Sequence, residues 1–474
     1  MSKVLIVGKG GREHALGWNI EKDEDVEIVF YAPGNAGTNS EKSLNINING
    51  TKKENFHALL NFVEKENIEL VVVGPEAPLN DGIVDYFNSY SYFNIFGPTK
   101  EKTKLEADKF YSYDLMKELG IPQARSIKCY NQKDGLEAIR KFSGAVVLKH
   151  RGLAEGKGVR VYDSRQEAKM DLGNFLEKFP GDFLVADRLY GEEFSFFGIA
   201  DGSIFVPINL AIQDHKRVND GDKGLNTGGM GAYCPAPVAS ERELEKIARE
   251  IMSPVVEKIR YKGFLYAGMI KSKEDSMKVI EFNCRLGDPE TQTMVMMLED
   301  SLYKPLLNSV NGNKPLEKVS KDENEPLENE PLKKVVENKN SHTSDFNKSK
   351  VPKDSKTEDE IRIKSGASCC VVLASRGYPK MYQKGFPIHG IEKAEALDHS
   401  GNIKIFHADT KLNENNEIVS DGGRVLGVTA YSPEGIPNAK MKAYGAVDII
   451  LGETPGVFHC RRDISDKALR YLGR

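Results

Sequence analysis

Over the first hundred residues, short apolar runs alternate with stretches whose apolar positions recur every three or four residues. The runs at 4–7, 26–31, 70–73 and 94–96 are short and continuous, which predicts strands covered on both faces. A helix is predicted over 12–21. Strands close on Gly- or Pro-bearing turns: Pro33-Gly34-Asn35, Gly74-Pro75-Glu76 and Gly97-Pro98-Thr99. Alternating strand and helix predict an open α/β sheet with ligand sites at the carboxyl ends of its strands. A helix over 105–120 follows, then mixed helix and strand to about 309. Strand-like runs return at 368–375, 424–430 and 446–451.

Residues 312–360 differ in kind. Glu323-Asn324-Glu325-Pro326-Leu327 repeats at once as Glu328-Asn329-Glu330-Pro331-Leu332, and Phe346 is the only aromatic. Such a segment cannot bury enough apolar surface to offset its ordering entropy, so it reads as a disordered insert. The pattern therefore predicts an N-terminal α/β domain (1–102), a second domain (103–310), the insert (311–360) and a small C-terminal mixed α/β domain (361–474).

Composition excludes more than it selects. The 474-residue chain is 39% apolar and 29% charged, ordinary values for a protein with several cores. A net charge of −4 offers no bulk attraction to nucleic acid or an anionic membrane, but leaves room for small anions at local positive sites. No apolar run is long enough to span a bilayer, and the N-terminus enters a strand without a secretory pattern. The six cysteines (129, 234, 284, 369, 370, 460) form no CxxC pair, which fits a reducing, cytoplasmic setting.

Three segments carry chemistry. In the first, an apolar run delivers Lys149, a glycine-spaced turn through Gly152, Gly156 and Gly158 delivers Lys157, and Val159-Arg160-Val161 resumes a strand. Two ammonium groups on a glycine-bearing hairpin suit a lid over a polyphosphate. Gly158 after Lys157 excludes a Walker loop, which needs Ser or Thr there. Alone, the segment reads equally as a surface hairpin with solvated lysines.

In the second, strand alternation puts Glu281, Asn283 and Arg285 on one face. A carboxylate and an amide oxygen two residues apart suit Mg²⁺, and Arg285 could hold a phosphate or carboxylate. An exposed strand face would carry the same residues. The third is a glycine-dense charged loop: Asp214-His215-Lys216-Arg217, then Asn226-Thr227-Gly228-Gly229-Met230-Gly231. Loops of this length are usually functional, and His215 reads as a positioning group more than a base. Gly8-Lys9-Gly10-Gly11-Arg12-Glu13 has Glu13 where a dinucleotide fingerprint needs its third glycine, so it reads as a turn for a phosphate or small polar ligand.

At these motifs the chain resembles the phosphoribosylamine–glycine ligases, ATP-grasp enzymes of purine biosynthesis. The likeness covers nearly the whole length outside 312–360. It rests on residues 8–15 (GKGGREHA), 33–38 (PGNAGT), 74–79 (GPEAPL), 152–159 (GLAEGKGV), 214–217 (DHKR), 226–233 (NTGGMGAY) and 281–292, with 422–427 (GGRVLG) and 461–464 (RRDI) downstream.

The resemblance implies an ATP-grasp domain of two α+β lobes behind a pre-ATP-grasp domain, its lid lobe at about 121–190. It implies Lys109, Lys149, Gly156, Lys157 and Gly158 at the ATP phosphates, and Ala186, Asp187, Arg188 and Leu189 as the adenine hinge. Glu193 would hold the ribose, Arg217 and Asn226 would complete the nucleotide site, and Glu281 and Asn283 would hold Mg²⁺ or Mn²⁺. Arg285, Asp288 and Asp214 would be catalytic. Gly10, Gly11, Arg12, Glu13, Gly34, Asn35, Pro75, Glu76, His215 and Lys216 would bind substrate.

Three departures from the family pattern stand out: Lys9 for a common Asn, His150-Arg151 for a small/acidic pair, and Ala186-Asp187-Arg188 for a more acidic, apolar hinge. The expected reaction is ATP-dependent ligation of glycine to 5-phosphoribosylamine through glycyl phosphate, by a cytoplasmic, monofunctional monomer. Its partners would be ATP, glycine and 5-phosphoribosylamine, with neither nucleic acid nor membrane, and an unknown partner of the insert. The alternatives are another ATP-grasp carboxylate–amine ligase or a non-catalytic nucleotide-binding scaffold.

Overall fold

The computed structural model describes residues 1–90, 93–154, 158–311 and 361–472. Its N-terminal sheet is wholly parallel, in the order Ser43–Asn45, Val26–Pro33, Ser2–Gly8, Leu70–Val73, Ile95–Phe96. The first strand lies in the middle and the chain winds outward on both sides. The turns after Gly8 and Val73 therefore flank the switch point where such sheets bind ligands. The helix Gly11–Ile20 is buried on nearly every side. The Phe406 ring packs T-shaped with His14 and Trp18 there, with centroids 5.5 Å apart in each case.

The helix expected over 105–120 is broken. Lys104–Ala107 stops at Asp108, whose extended backbone and side chain cap a new helix, Lys109–Glu118. Beyond it lies a four-stranded antiparallel sheet in the order Ser126–Cys129, Phe183–Asp187, Val146–His150, Val159–Val161. The helices Gln132–Arg140 and Arg165–Lys178 join it around a core that includes Phe142, Leu148, Phe175 and Phe183.

The largest sheet has nine strands and crosses the expected domain boundary. Met277–Asn283, Lys262–Lys271, Glu192–Asp201, Phe205–Asp214 and Gly231–Cys234 run in that order into Ala367–Ser375, Arg424–Ser432 and Ile403–His407. Phe458–His459 also pairs with Ala367–Ser375. The seam is regular antiparallel pairing from Gly231 opposite Val371 to Cys234 opposite Ser368.

The run at 446–451 is not a strand. It lies inside the helix Ile436–Glu453, whose buried Ile436, Ala439, Ala443, Ala446, Val447 and Ile450 recur at helical spacing. A six-residue run, apolar but for Asp448, cannot separate the two states by itself, and the decisive period lies upstream. The insert expected at 311–360 lies, from 312 on, outside the described residues. Its flanks are joined: Leu298 bridges Ile363, and the Glu299 amide donates to the Arg362 carbonyl at 3.0 Å. No described helix is long and apolar enough to cross a membrane.

Candidate active site

The strand Met277–Asn283 edges the large sheet against Lys262–Lys271. Their register slips so that Met269 faces Val279 but Gly268 faces Glu281, leaving Ile280 as the extra residue of a bulge. The freed Ile280 carbonyl accepts a 3.2 Å hydrogen bond from Lys149 Nζ. Past the bulge Glu281 and Asn283 share a face. Arg285 does not extend that face, because the strand ends at Asn283 and Arg285 stands in the following bend. From there its guanidinium reaches Glu76 at 3.3 Å and Glu106 at 3.2 Å.

Burial pushes the Glu281 carboxyl up, but Lys216, Lys109, Lys149 and Arg285 outweigh it and hold the pKa below the usual carboxylate range. Asn283 is buried with its Nδ2 unpaired. Turning that amide over would present its carbonyl oxygen instead. One ionised carboxylate and one amide oxygen fit a hard divalent cation that draws its other ligands from phosphate and water. Among the described residues no group of three or more His, Cys, Asp or Glu side chains could hold a metal unaided.

Lysines surround this pair. Burial lowers the Lys149 pKa against the pull of Glu281. Lys109 Nζ donates to the Gly152 carbonyl at 3.2 Å, and the Gly158 carbonyl accepts from the His150 amide at 2.8 Å. Gly156 and Lys157 lie outside the described residues. Desolvation opposes the Lys216 charge, but Glu193 (3.6 Å away), Tyr266, Glu281 and Asp214 raise its pKa well above the ordinary value. Arg217 and Asn226 face each other on a short ribbon, where Arg217 Nη1 donates to the Gly224 carbonyl at 2.7 Å. At the expected hinge, Ala186 is buried in its strand and Asp187 pairs with Arg125 at 3.3 Å. Arg188 pairs with Asp163 and lies over the Tyr190 ring, and Leu189 is half-buried.

A second group forms where all three parts of the chain meet. Glu13 accepts from the Gly10 amide at 2.7 Å and from Arg12 at 2.6 Å, and Arg12 Nη1 donates to the Leu286 carbonyl at 3.1 Å. A Cβ on Gly74 would stand 2.3 Å from Glu13 Oε1, so the close approach of the two turns needs glycine there. Gly11 lies against Gln292, which donates to Asp288 at 2.9 Å. Burial would raise Asp288, but Arg424 (3.3 Å), Arg12, Gln292 and Arg285 hold its pKa down. Asp214 goes the other way: burial and Glu290 push it well up, and its Oδ1 has no partner.

Pro75 precedes the helix Glu76–Asp81, and Glu76 is kept ionised chiefly by Arg285 against its burial. Gly34 turns at φ +72. Asn35 is fully engaged: Nδ2 donates to the Lys9 and His407 carbonyls at 2.7 and 2.9 Å, and Oδ1 accepts from the Gly37 amide. Lys9 approaches Asp409 at 3.8 Å.

His215 is buried with both ring nitrogens unpaired, and burial, Arg461 and Lys467 lower its pKa to about 4. The loop that follows it is tied down by the C-terminal segment. Arg461, 1% exposed, bonds Asp222 at 2.8 Å, Asp463 at 2.7 Å and the Arg217 carbonyl at 3.1 Å. The Gly221 amide donates to Asp463 at 2.8 Å, and the Gly228 carbonyl accepts from Arg424 at 2.8 Å. Sequence reasoning assigned no role to Glu106, Gln292, Arg424, Arg461 or Asp222. The signal for Arg424 and Arg461 was their place inside GGRVLG and RRDI, read there only as likeness.

Three domains of the phosphoribosylglycinamide synthetase family match in order: the N domain over 2–106, the ATP-grasp (A) domain over 107–291 and the C domain over 368–467. The phosphoribosylamine–glycine ligase of Rhodopirellula baltica is 39% identical, with 99% of each chain covered. That of Yersinia pestis is 38% identical over 98% of this chain and 99% of its own. The crystal structure of the Thermotoga maritima phosphoribosylamine–glycine ligase superposes with a TM-score of 0.74 at 29% identity, covering 98% of this chain and 100% of that one.

Proposed function

Since the chain belongs to the phosphoribosylglycinamide synthetase family, we infer that it ligates glycine to 5-phosphoribosylamine with ATP, releasing ADP and phosphate in purine biosynthesis. The observation that carries this reading is the ordered match of all three family domains, with relatives aligned over almost the full length.

The cleft chemistry supports a particular route. A carboxylate is a poor electrophile, so the reaction proceeds by transfer of the ATP γ-phosphoryl group to the glycine carboxylate. The amine of phosphoribosylamine then attacks the acyl carbon and expels phosphate. Lys109 and Lys149 bind and orient the phosphates, offsetting their charge. Glu281 and Asn283 would hold Mg²⁺ or Mn²⁺. When bound, that cation supplies electrostatic stabilisation of phosphate oxygens. Asp288, ionised beside Arg424, suits the glycine ammonium, and Arg285 suits an anionic oxygen. Asp214, with its raised pKa and free Oδ1, suits the proton released by the attacking amine. The turns at Gly10, Glu13 and Glu76 would face the ribosyl phosphate.

The reading places the enzyme in the cytoplasm as a monomer acting on small molecules. Its test is ADP release from purified protein with ATP, Mg²⁺ and glycine, with and without fresh phosphoribosylamine. Release that needs both substrates, with the mass of glycinamide ribonucleotide appearing, is expected. Release independent of both would remove the substrate assignment.

A further inference from the structure

We propose that Arg151 is a positioning residue: it clamps the lid to the helix that carries Lys109 and so fixes the two phosphate-facing lysines relative to each other. Its guanidinium forks onto Asp108, with Nε to Oδ1 at 2.9 Å and Nη2 to Oδ2 at 2.6 Å. The remaining nitrogen, Nη1, bonds Asp182 Oδ2 at 2.8 Å. The two carboxylates belong to different bodies. Asp108 caps the helix beginning at Lys109, while Asp182 immediately precedes the lid strand Phe183–Asp187.

The backbone repeats the tie. The Lys109 amide donates to the Arg151 carbonyl at 2.9 Å, and the Arg151 amide to the Asp182 carbonyl at 3.0 Å. The guanidinium also lies 4.9 Å from the Phe110 ring centroid. Asp108 Oδ1 therefore serves Arg151 and the Phe110 and Tyr111 amides together, so the fork sets the helix start as well as the lid.

Only a planar, five-donor group can bond both carboxylates in this geometry. The Arg151 side chain is 42% exposed, so these ion pairs add little to stability, and their main effect is on geometry. Lys149 lies two residues before Arg151 and Lys109 one after Asp108. Freeing the fork would let those ammonium groups drift apart.

The proposal rests on the reading that Lys109 and Lys149 bind ATP. In the full-length enzyme, Arg151→Met keeps the stem and removes the fork. It should raise the KM for ATP about tenfold while kcat and the KM values for glycine and phosphoribosylamine stay within about threefold. Arg151→Lys, able to bond one carboxylate, should recover part of the loss. An unchanged KM for ATP in Arg151→Met overturns the clamp, as does an equal rise in all three KM values. Should that variant not fold, Asp108→Asn keeps an Oδ1 to cap the helix, replaces the second accepting oxygen of the fork with an amide and should give the same ATP-selective rise; its absence overturns the proposal. Lys149→Ala separates the two failures. If it leaves ATP binding intact, the ATP-site reading falls and the clamp with it. If it weakens ATP binding and Arg151→Met does not, only the clamp falls.

Discussion

The lid and the C-terminal segment are attached to the central lobe in opposite ways. The lid has its own four-stranded sheet and its own core, whose buried members all lie between Cys129 and Val185. Its ties to the central lobe include single polar links such as Lys149 to the Ile280 carbonyl and the Arg151 fork. The C-terminal segment adds strands to the lobe's own sheet and shares a core that runs from Leu105 to Ala468. One attachment is made by discrete polar links and the other by a shared sheet and core. The shared sheet carries Glu281 and Asn283, and Arg461 ties the 214–231 loop to the same body.

The largest effect should come from the body with the shared sheet. Glu281→Ala should cut turnover by at least about 10³-fold with the melting temperature nearly unchanged. Near-normal ADP release would sink the metal assignment. Core truncations test the attachments themselves. Phe175→Ala in the lid and Leu373→Ala beyond the seam should each cost about 3–4 kcal/mol. Hydrogen exchange should rise only within 126–187 for the first, but on both sides of the seam for the second. Spread of the Phe175 effect into the central lobe would mean that the lid is not a separate unit.

Acid should act on the fused body. His215 has its pKa lowered to about 4, and His407, buried where the C-terminal segment meets the N-terminal sheet, to about 3 chiefly by burial. Both stay neutral when folded but take up a proton when unfolded below about pH 6.5. Their contribution is thus complete above that pH and is lost as pH falls toward the folded values, at about 1.4 kcal/mol per site per unit. Urea denaturation followed by Trp18, the chain's one tryptophan, should show a lower midpoint at pH 5.5 than at 7.5. An unchanged midpoint would contradict the burial of these rings as neutral groups. The smallest effect should follow deletion of 315–357. Because Leu298 and Ile363 already bridge the flanks, melting temperature and turnover should hardly move.

Much of this was legible in the chain. The strand at 70–73 falls where the apolar run predicts, and Lys149 lies close enough to Glu281 to help lower its pKa. Local period misled at 446–451, where five apolar residues around Asp448 suit either state. Long-range pairing was invisible for a different reason. Nothing in 231–234 or 368–371 says that they are neighbours across more than a hundred residues. Arg151 was legible only as a departure from the family pattern; its contacts with Asp108 and Asp182, distant in sequence, were not.

The seam also constrains synthesis. Until Ala367–Ser375 has left the ribosome, Gly231–Cys234 has no partner on that side, and the lobe carries an open sheet edge of the kind that invites association between nascent chains. The lid can fold as soon as residue 187 emerges, since among the described residues its strands pair only with one another. The central lobe must wait for the last quarter of the polypeptide. A translation product cut short before that point would hold a finished four-stranded lobe on an unfinished, aggregation-prone base.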